Sequence, residues 1–377
     1  MMKIAINTHL LIPGKLDGIG WFTFENIKRI TANHPEHEFI LIFDRKPTAE
    51  LIFPPNTRTV ILPPPARHPL LWLIRFEICL PLLLRKLKPD LFVTPDGWMT
   101  LNSPVPCVQV IHDLNFVHFS KDTPFLTRYY YNILFKKYAH KATRIATVSH
   151  YSKNDLIKTW GIPAEKIDVT HNGCNEAYKP INPEETDLIR KKYSNGFPYF
   201  LYVGALIPRK NLARMFEAFN EFKKQDKGKI KLIVVGPKKW WSPKINESWE
   251  KLQYKDDVIF LGRMGVAELN QLYAASLALL FVPYFEGFGI PILEAFNSGA
   301  AVITSNVTSM PEVAGDAALM VDPFSVESIT KAMITISTHP EMRAELIKKA
   351  AERKKLFSWD YTADNLWMCI EKAIKNG

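Results

Sequence analysis

Cysteine is scarce, with four in 377 residues. Cys79, Cys107, Cys174 and Cys369 stand far apart, which excludes a C-x-x-C redox pair or a structural zinc site and points to a reducing compartment. Long hydrophobic runs are missing too. The most apolar stretch, Leu70–Leu84, is interrupted by Arg75 and Glu77, whereas a spanning helix needs about 20 mostly apolar residues. The N-terminus turns polar at Asn7, too soon for the apolar core of a signal peptide, so the expected location is cytoplasmic. No two aspartates are separated by one residue and no Walker lysine follows a glycine-rich loop, so there is neither a D-x-D metal clamp nor a P-loop. With 17 Gly, 27 Pro and no low-complexity tract, disorder and collagen-like repeats are also excluded.

What is present suits an ordinary globular chain, 47% hydrophobic and 23% charged. At about 150 residues per domain the length suggests two domains. The net charge of +10 and pI near 9.2 suggest anionic partners. No basic arm carries that charge: 23 Lys/Arg stand against 18 Asp/Glu through Arg190, and 25 against 20 after it. Two windows are denser. Arg67–Lys88 holds Arg67, Arg75, Arg85, Lys86 and Lys88 against Glu77, and Lys121–Arg144 holds Lys121, Arg128, Lys136, Lys137, Lys141 and Arg144 against Asp122.

Short runs rich in Ile and Val alternate with helical patterns, which indicates parallel sheets covered on both faces. The first half offers strands at Lys3–Asn7, Phe39–Phe43, Thr59–Leu62, Leu91–Thr94, Cys107–Ile111 and Arg144–Val148. Between the first two lies a loop with Gly14, Gly18 and Gly20, followed by helix-periodic Phe22, Ile27 and Ile30. After a polar, proline-bearing stretch the pattern restarts with strands at Tyr199–Val203, Ile230–Val235, Val258–Leu261, Ala278–Val282, Ala301–Thr304 and Leu319–Val321. The expected architecture is α/β, two Rossmann-like doubly wound domains. Ligands of such sheets sit beyond the carboxyl ends of the strands, which directs attention to the loops after Asn7, Ile111, Val203 and Val282.

Three of those loops carry chemistry. In Val203-Gly204-Ala205-Leu206-Ile207-Pro208-Arg209-Lys210-Asn211, a strand ends at a glycine and two cations precede a helix, whose N-terminus already favours an anion. The alternative is a solvated basic turn. In Tyr284-Phe285-Glu286-Gly287-Phe288-Gly289-Ile290-Pro291-Ile292-Leu293-Glu294, Pro291 suits the first helical position, so Glu286 and Glu294 frame a helix start. Eight residues of helical rise would part them by about 12 Å, beyond the separation of roughly 5 to 9.5 Å in hydrolytic pairs. They grip different parts of one ligand, or one caps while the other is solvated. In Val110-Ile111-His112-Asp113-Leu114 a strand end delivers His112 and Asp113, as a ligand contact or as hydrogen-bonded structural residues. Gly18-Ile19-Gly20 lacks the third glycine of a dinucleotide fingerprint, with Thr23 in its place, and reads equally as a ligand-approach loop or a plain turn. Ser149 fits an N-cap as well as a ligand contact.

Together these residues resemble retaining glycosyltransferase family 4, of the GT-B fold. The likeness rests on Gly204–Asn211, the E-x7-E element Glu286–Glu294, Ala300–Ser305 and Ser309-Met310-Pro311-Glu312-Val313-Ala314-Gly315-Asp316-Ala317-Ala318. In the first half it adds Gly18/Gly20, Ile111-His112-Asp113-Leu114, Thr147-Val148-Ser149 and Asn172-Gly173. A departure is His171, where an aromatic residue or proline is commoner in the family. The resemblance implies an N-terminal acceptor-side domain over 1–180, a donor domain over 181–359, and a cleft between them, with a C-terminal helix from Asp360 (360–377) returning to the first. It implies a nucleotide-diphosphate sugar as co-substrate, no metal, and catalytic roles for His112, Arg209, Lys210 and Glu286. Arg209 and Lys210 would neutralise the diphosphate, Glu286 would bind sugar hydroxyls, His112 would sit near the C6 hydroxyl, and Glu294 would hold the ribose. Gly262-Arg263-Met264 would meet the nucleobase. Gly18, Gly20, Gly204, Gly287, Phe288, Gly289 and Ile290 complete the donor contacts, with Asp113 and Ser149 on the acceptor side.

The combination looks most like bacterial enzymes transferring mannose from GDP-mannose in surface polysaccharide or lipopolysaccharide assembly, with UDP-linked hexoses as the alternative. The acceptor would be a glycan or lipid-linked. The two basic windows then suggest a peripheral face toward the inner membrane, with ordinary solvated helix faces as the rival. Nucleic acid is not an expected partner, because the charge is evenly split and no recognised binding module is present. A catalytically silent relative would have lost site residues that are all present here, and a nucleotide-sugar epimerase of the same fold is the nearest rival enzyme.

Overall fold

In the computed structural model, the short apolar runs become strands of two parallel sheets, and the chain divides into the units Met1–Gly173 with Ser358–Gly377, and Cys174–Phe357. The described residues are 1–377 except 13, 15, 17, 49, 50, 67, 121–124, 227, 228, 238–240, 376 and 377, with the backbone alone at 125. Arg67, Lys121 and Asp122 of the basic windows therefore lie outside them, as does the end of the expected 360–377 helix. The units part between Gly173 and Cys174 and between Phe357 and Ser358, against expected boundaries of 180 and 359.

In the first unit β1 (Lys3–Asn7), β2 (Glu38–Phe43), β3 (Thr57–Ile61), β4 (Leu91–Thr94), β5 (Cys107–Val110), β6 (Arg144–Thr147) and β7 (Ile167–Val169) are ordered β3-β2-β1-β4-β5-β6-β7. β7 was not expected: Ile-Asp-Val is too short and too mixed to stand out as an apolar run. In the second unit β8 (Tyr199–Val203), β9 (Lys231–Val235), β10 (Val258–Gly262), β11 (Ala278–Phe281), β12 (Ala301–Ser305) and β13 (Leu319–Val321) are ordered β10-β9-β8-β11-β12-β13. All pairings are parallel, for example Ala5 opposite Phe92 and Ala278 opposite Phe200. β4, β5, β8 and β11 are buried along their whole length, as a sheet covered by helices on both faces requires. Strand order reverses between β1 and β4 in one sheet and between β8 and β11 in the other.

The helix Trp359–Lys375 packs on the helix Gly18–Asn33 and on β6 of the first unit. Arg29 Nε donates to Asp360 Oδ1 at 2.6 Å, and Thr362 Oγ1 to the His171 carbonyl at 2.5 Å. A Cβ on Gly173 would lie 2.3 Å from the Trp359 nitrogen, so only a glycine permits this approach.

Candidate functional site

The switch point of the second sheet is framed by the loops that follow β8 and β11. β8 runs into Gly204 at φ +153, and a Cβ on Gly236 would fall 1.8 Å from the Gly204 carbonyl oxygen. The two backbones are thus packed in contact. The chain continues through a 3-10 turn, Pro208–Lys210, into the helix Leu212–Gln225. Asn211 stands at the N-cap of that helix but does not cap it by its side chain. It is left-handed at φ +64, a conformation Asn tolerates, and its Nδ2 donates to the Val282 and Pro323 carbonyls, both at 2.9 Å. This buried clamp, with Tyr284 N donating to the Arg209 carbonyl at 2.9 Å, ties the β8 loop to the β11 loop.

The tie brings the charged residues together. Arg209 Nη1 lies 2.6 Å from Glu286 Oε1 and donates to the Phe285 carbonyl at 3.1 Å; Lys210 Nζ lies 2.5 Å from the same Glu286 oxygen. Burial pushes the Glu286 carboxyl up, but the charges of Arg209 and Lys210 outweigh it and hold the group below its ordinary value. The Glu286 side chain keeps 12% of its surface exposed. Ser309 Oγ, fully buried, lies 2.8 Å from the Glu286 carbonyl and 3.0 Å from that of Phe288, and fixes the turn between them.

Glu294 belongs to the helix Ile290–Asn297, which starts at Ile290 with Pro291 second, so the carboxylate lies beyond the first turn. Gly289 caps it at φ +108, where a side chain would meet Met310 Cε at 2.8 Å. Tyr273 donates to Glu294 Oε2 at 2.7 Å, and Tyr178 also hydrogen-bonds it. Burial raises the Glu294 carboxyl above its ordinary value, with the two tyrosines pulling the other way. Gly287 and Phe288 are buried between the two glutamates in sequence. Gly262 ends β10 at φ +68 and is exposed, as is Arg263, with Met264 half-buried.

In the first unit His112 follows β5. Its Nε2 lies 2.8 Å from the Pro95 carbonyl, which can only accept, so that nitrogen carries the proton. The ring stands edge-on to Phe22 at 4.9 Å. Ser149 is fully buried and caps the helix His150–Trp160, its Oγ accepting from Ser152 N at 3.0 Å. Ser152 Oγ in turn donates to the His112 carbonyl at 3.1 Å. The capping task expected as one alternative for Ser149 is therefore the one seen. Asp113 Oδ1 takes the Asn115 backbone N–H at 2.9 Å and side-chain amide at 2.5 Å, the geometry of a local turn. Gly18 and Gly20 are not in a loop. They lie in the first turn of the helix Gly18–Asn33, because a lone glycine weakens a helix only modestly and the Phe22/Ile27/Ile30 face extends back to it.

Sequence reasoning overlooked the polar cluster beneath His112. Asp96, in the turn after β4, accepts from Asn7 Nδ2 at 3.0 and 3.1 Å, from Thr94 Oγ1 at 2.9 Å and from Trp98 N at 3.2 Å, and sits 2.9 Å from His9 Nδ1. Asn7, His9 and Asp96 are all buried. The signal was the polar Asn7-Thr8-His9 run ending β1. Tyr178 and Tyr273 left no such trace.

Residues 17–178 match the family described as Glycosyltransferase Family 4, and residues 185–353 match Glycosyl transferases group 1. Over 220 residues, 58% of each chain, the protein is 32% identical to O-antigen chain mannosyltransferase B of Escherichia coli. Over 231 residues, 61% of each chain, it is 31% identical to O-antigen chain mannosyltransferase RfbU of Salmonella typhimurium. The match thus spans about three fifths of the length of these curated relatives. HepE of Anabaena, solved in complex with UDP-glucose, superposes with a TM-score of 0.77 at 17% identity over 98% of this chain and 100% of its own. The shared fold is GT-B, two doubly wound parallel sheets.

Proposed function

The chain belongs to glycosyltransferase family 4, and from that premise we propose that it moves a hexose, mannose from GDP-mannose, onto a glycan or lipid-linked acceptor in cell-surface polysaccharide assembly. The observation that carries this reading is the convergence of Arg209 and Lys210 on Glu286 at the switch point of the second sheet. Two cations sharing one carboxylate oxygen, ahead of a 14-residue helix, suit a diphosphate. Breaking the anomeric C–O bond leaves charge on the departing nucleotide diphosphate, and stabilising that charge is the largest task of the site. Arg209, Lys210 and the helix N-terminus supply it without a metal. Glu286 turns toward sugar hydroxyls when phosphate takes over its cations, and Glu294 accepts from the ribose.

The configuration is retained in this reading. The acceptor oxygen bonds to the anomeric carbon on the face the diphosphate leaves, and its proton passes to a phosphate oxygen of the leaving group. His112, its tautomer set by Pro95, contributes to binding the transferred sugar, and Gly262–Met264 to the base. Gly18 and Gly20 act as part of a helix start, where N–H groups meet phosphate. The relatives named for O-antigen mannosyl transfer favour mannose; the HepE complex favours the second reading, a UDP-linked hexose. The enzyme works on the cytoplasmic side of the membrane, and no described helix is long and apolar enough to cross one.

A panel of GDP- and UDP-sugars, scored by the rise in melting temperature, tests the donor. GDP-mannose stabilises most if the first reading holds; a larger rise with a UDP-hexose replaces it with the second. Incubation of the preferred donor with an acceptor glycan, followed by NMR of the new anomeric centre, tests retention. Release of an epimerised nucleotide sugar instead overturns transfer altogether.

A further inference from the structure

In the first unit, one helical segment is apolar on two opposite sides. It runs through the helix Pro69–Leu73, a π-helical turn Ile74–Cys79 and the helix Leu80–Leu87. Phe76, Leu80 and Leu84, four residues apart, are buried in the core. Leu70, Ile74, Ile78 and Leu82, also four apart but two out of step, are 62%, 42%, 55% and 59% exposed. With about 3.6 residues per α-turn a four-residue spacing drifts around the axis, and the wider π turn winds it back. Each series therefore keeps to one side. A helix apolar on both sides belongs in a core or against lipid, and a contiguous outward stripe of this kind marks an interaction surface.

Charge identifies what the stripe meets. Arg85, Lys86 and Lys88 follow it and are exposed. A second segment, Phe125–Tyr130, Tyr131–Phe135 and Lys136–Lys141, packs beside it through Trp72, whose ring lies 5.3 Å from that of Tyr130. It adds exposed Leu126 and Tyr129. Its lysines Lys136, Lys137 and Lys141 line, with Leu101 and Ile133, a hollow of about 710 Å³. Among residues 68–88 and 125–141 the single acid is Glu77, and it turns inward, accepting from Tyr138 Oη at 2.6 Å and Leu101 N at 3.2 Å. Two other cations of the basic windows do not contribute. Arg75 is fully buried with its guanidinium on the Leu62 carbonyl, and Arg144 is paired with Asp168 at 2.5 Å.

We propose that this face docks the protein onto an anionic bilayer. Leu70, Ile74, Ile78 and Leu82 enter the boundary between headgroups and acyl chains, and the six exposed cations rest on anionic headgroups. The surface stands independently of the transfer reaction, although a lipid-linked acceptor would give it a use.

The test is flotation of the full chain with phosphatidylcholine vesicles, pure or mixed with phosphatidylglycerol. Wild type should float with the mixed vesicles at low salt and weaken as salt rises. Ile74→Ser/Ile78→Ser should lower the bound-to-free ratio about tenfold or more, and Lys136→Gln/Lys137→Gln about fivefold per charge. Both variants should keep the melting temperature and the donor-induced stabilisation of wild type, which separates failure of docking from failure of the proposed activity. Wild type that ignores mixed vesicles, or binding equal in wild type and Ile74→Ser/Ile78→Ser, overturns the proposal. So does a dimer abolished by Ile74→Ser/Ile78→Ser in protein that does not float, which would make the face a contact between copies.

Discussion

The two sheets reverse their strand order in the same manner, yet they fill the resulting crevice differently. Between β1 and β4 the first unit places Asn7, His9 and Asp96, each buried, with Asn7 Nδ2 donating to Asp96 and His9 Nδ1 2.9 Å from both Asn7 Nδ2 and Asp96 Oδ2. Between β8 and β11 the second places Arg209, Lys210 and Glu286, which keep 17%, 12% and 12% of their side-chain surface exposed. A buried polar network gains rigidity only while every member is paired, so the first crevice is a support, holding the turn whose Pro95 carbonyl meets His112. A partly exposed ion cluster can exchange one partner for another at lower cost. The second crevice is therefore the one suited to receive a charged ligand, and topology alone would not have distinguished them.

Breaking the second crevice should have the largest effect. Lys210→Ala is expected to lower turnover about 10² to 10³-fold, the scale of one preorganised donor lost, in a steady-state assay with saturating acceptor. Wild-type turnover in that variant would remove the distinction between the two crevices. In the first crevice Asp96→Ala should act on stability instead, costing about 3 kcal/mol or more because it strands several buried donors, as read from denaturant unfolding. A loss below about 1 kcal/mol would show that the cluster is not the support described.

pH separates the carboxylates of the second unit. Glu286 is held below its ordinary 4.5, so its contribution to stability is present above that value and is lost as pH falls through the lower, folded one. Glu294 is raised, so its ionisation costs stability, and its contribution is lost as pH rises from 4.5 through the higher value. Carbon NMR of labelled glutamates should show Glu294 titrating first as acid is added, and Lys210→Ala should move Glu286 upward while leaving their order intact. The smallest effect is expected at Ser149→Ala, about 1 kcal/mol from a lost helix cap, with the donor-induced melting shift unchanged.

Legibility followed locality. Lys3–Asn7, Leu91–Thr94, Tyr199–Val203 and Leu319–Val321 have the bounds their apolar runs indicate, since a strand buried on both faces leaves a continuous signature. Arg209 and Lys210 could be singled out from one strand end and Glu286 from another, but their meeting on one carboxylate oxygen could not. It depends on Asn211 bridging Val282 and Pro323, across 71 and 112 residues of chain. Glu294 was legible as a carboxylate of the helix that Pro291 opens, although it lies beyond the first turn, whereas its tyrosine partners come from distant elements and leave no spacing to read. The basic windows were visible as composition. The buried Arg75, the inward Glu77 and the outward stripe beginning at Leu70 emerge only when the helices are wound.

The bare backbone at Gly173 has a consequence for dissecting the molecule. A Cβ there would touch Ser358 and Trp359, so the two points at which the chain leaves and re-enters the first unit are neighbours in space. In genetic terms the second unit is a cassette inserted into a continuous gene for the first. A linker of a few residues from Gly173 to Ser358 would span the gap that removal of Cys174–Phe357 leaves in the first unit, and expressing the two pieces apart tests whether each folds on its own.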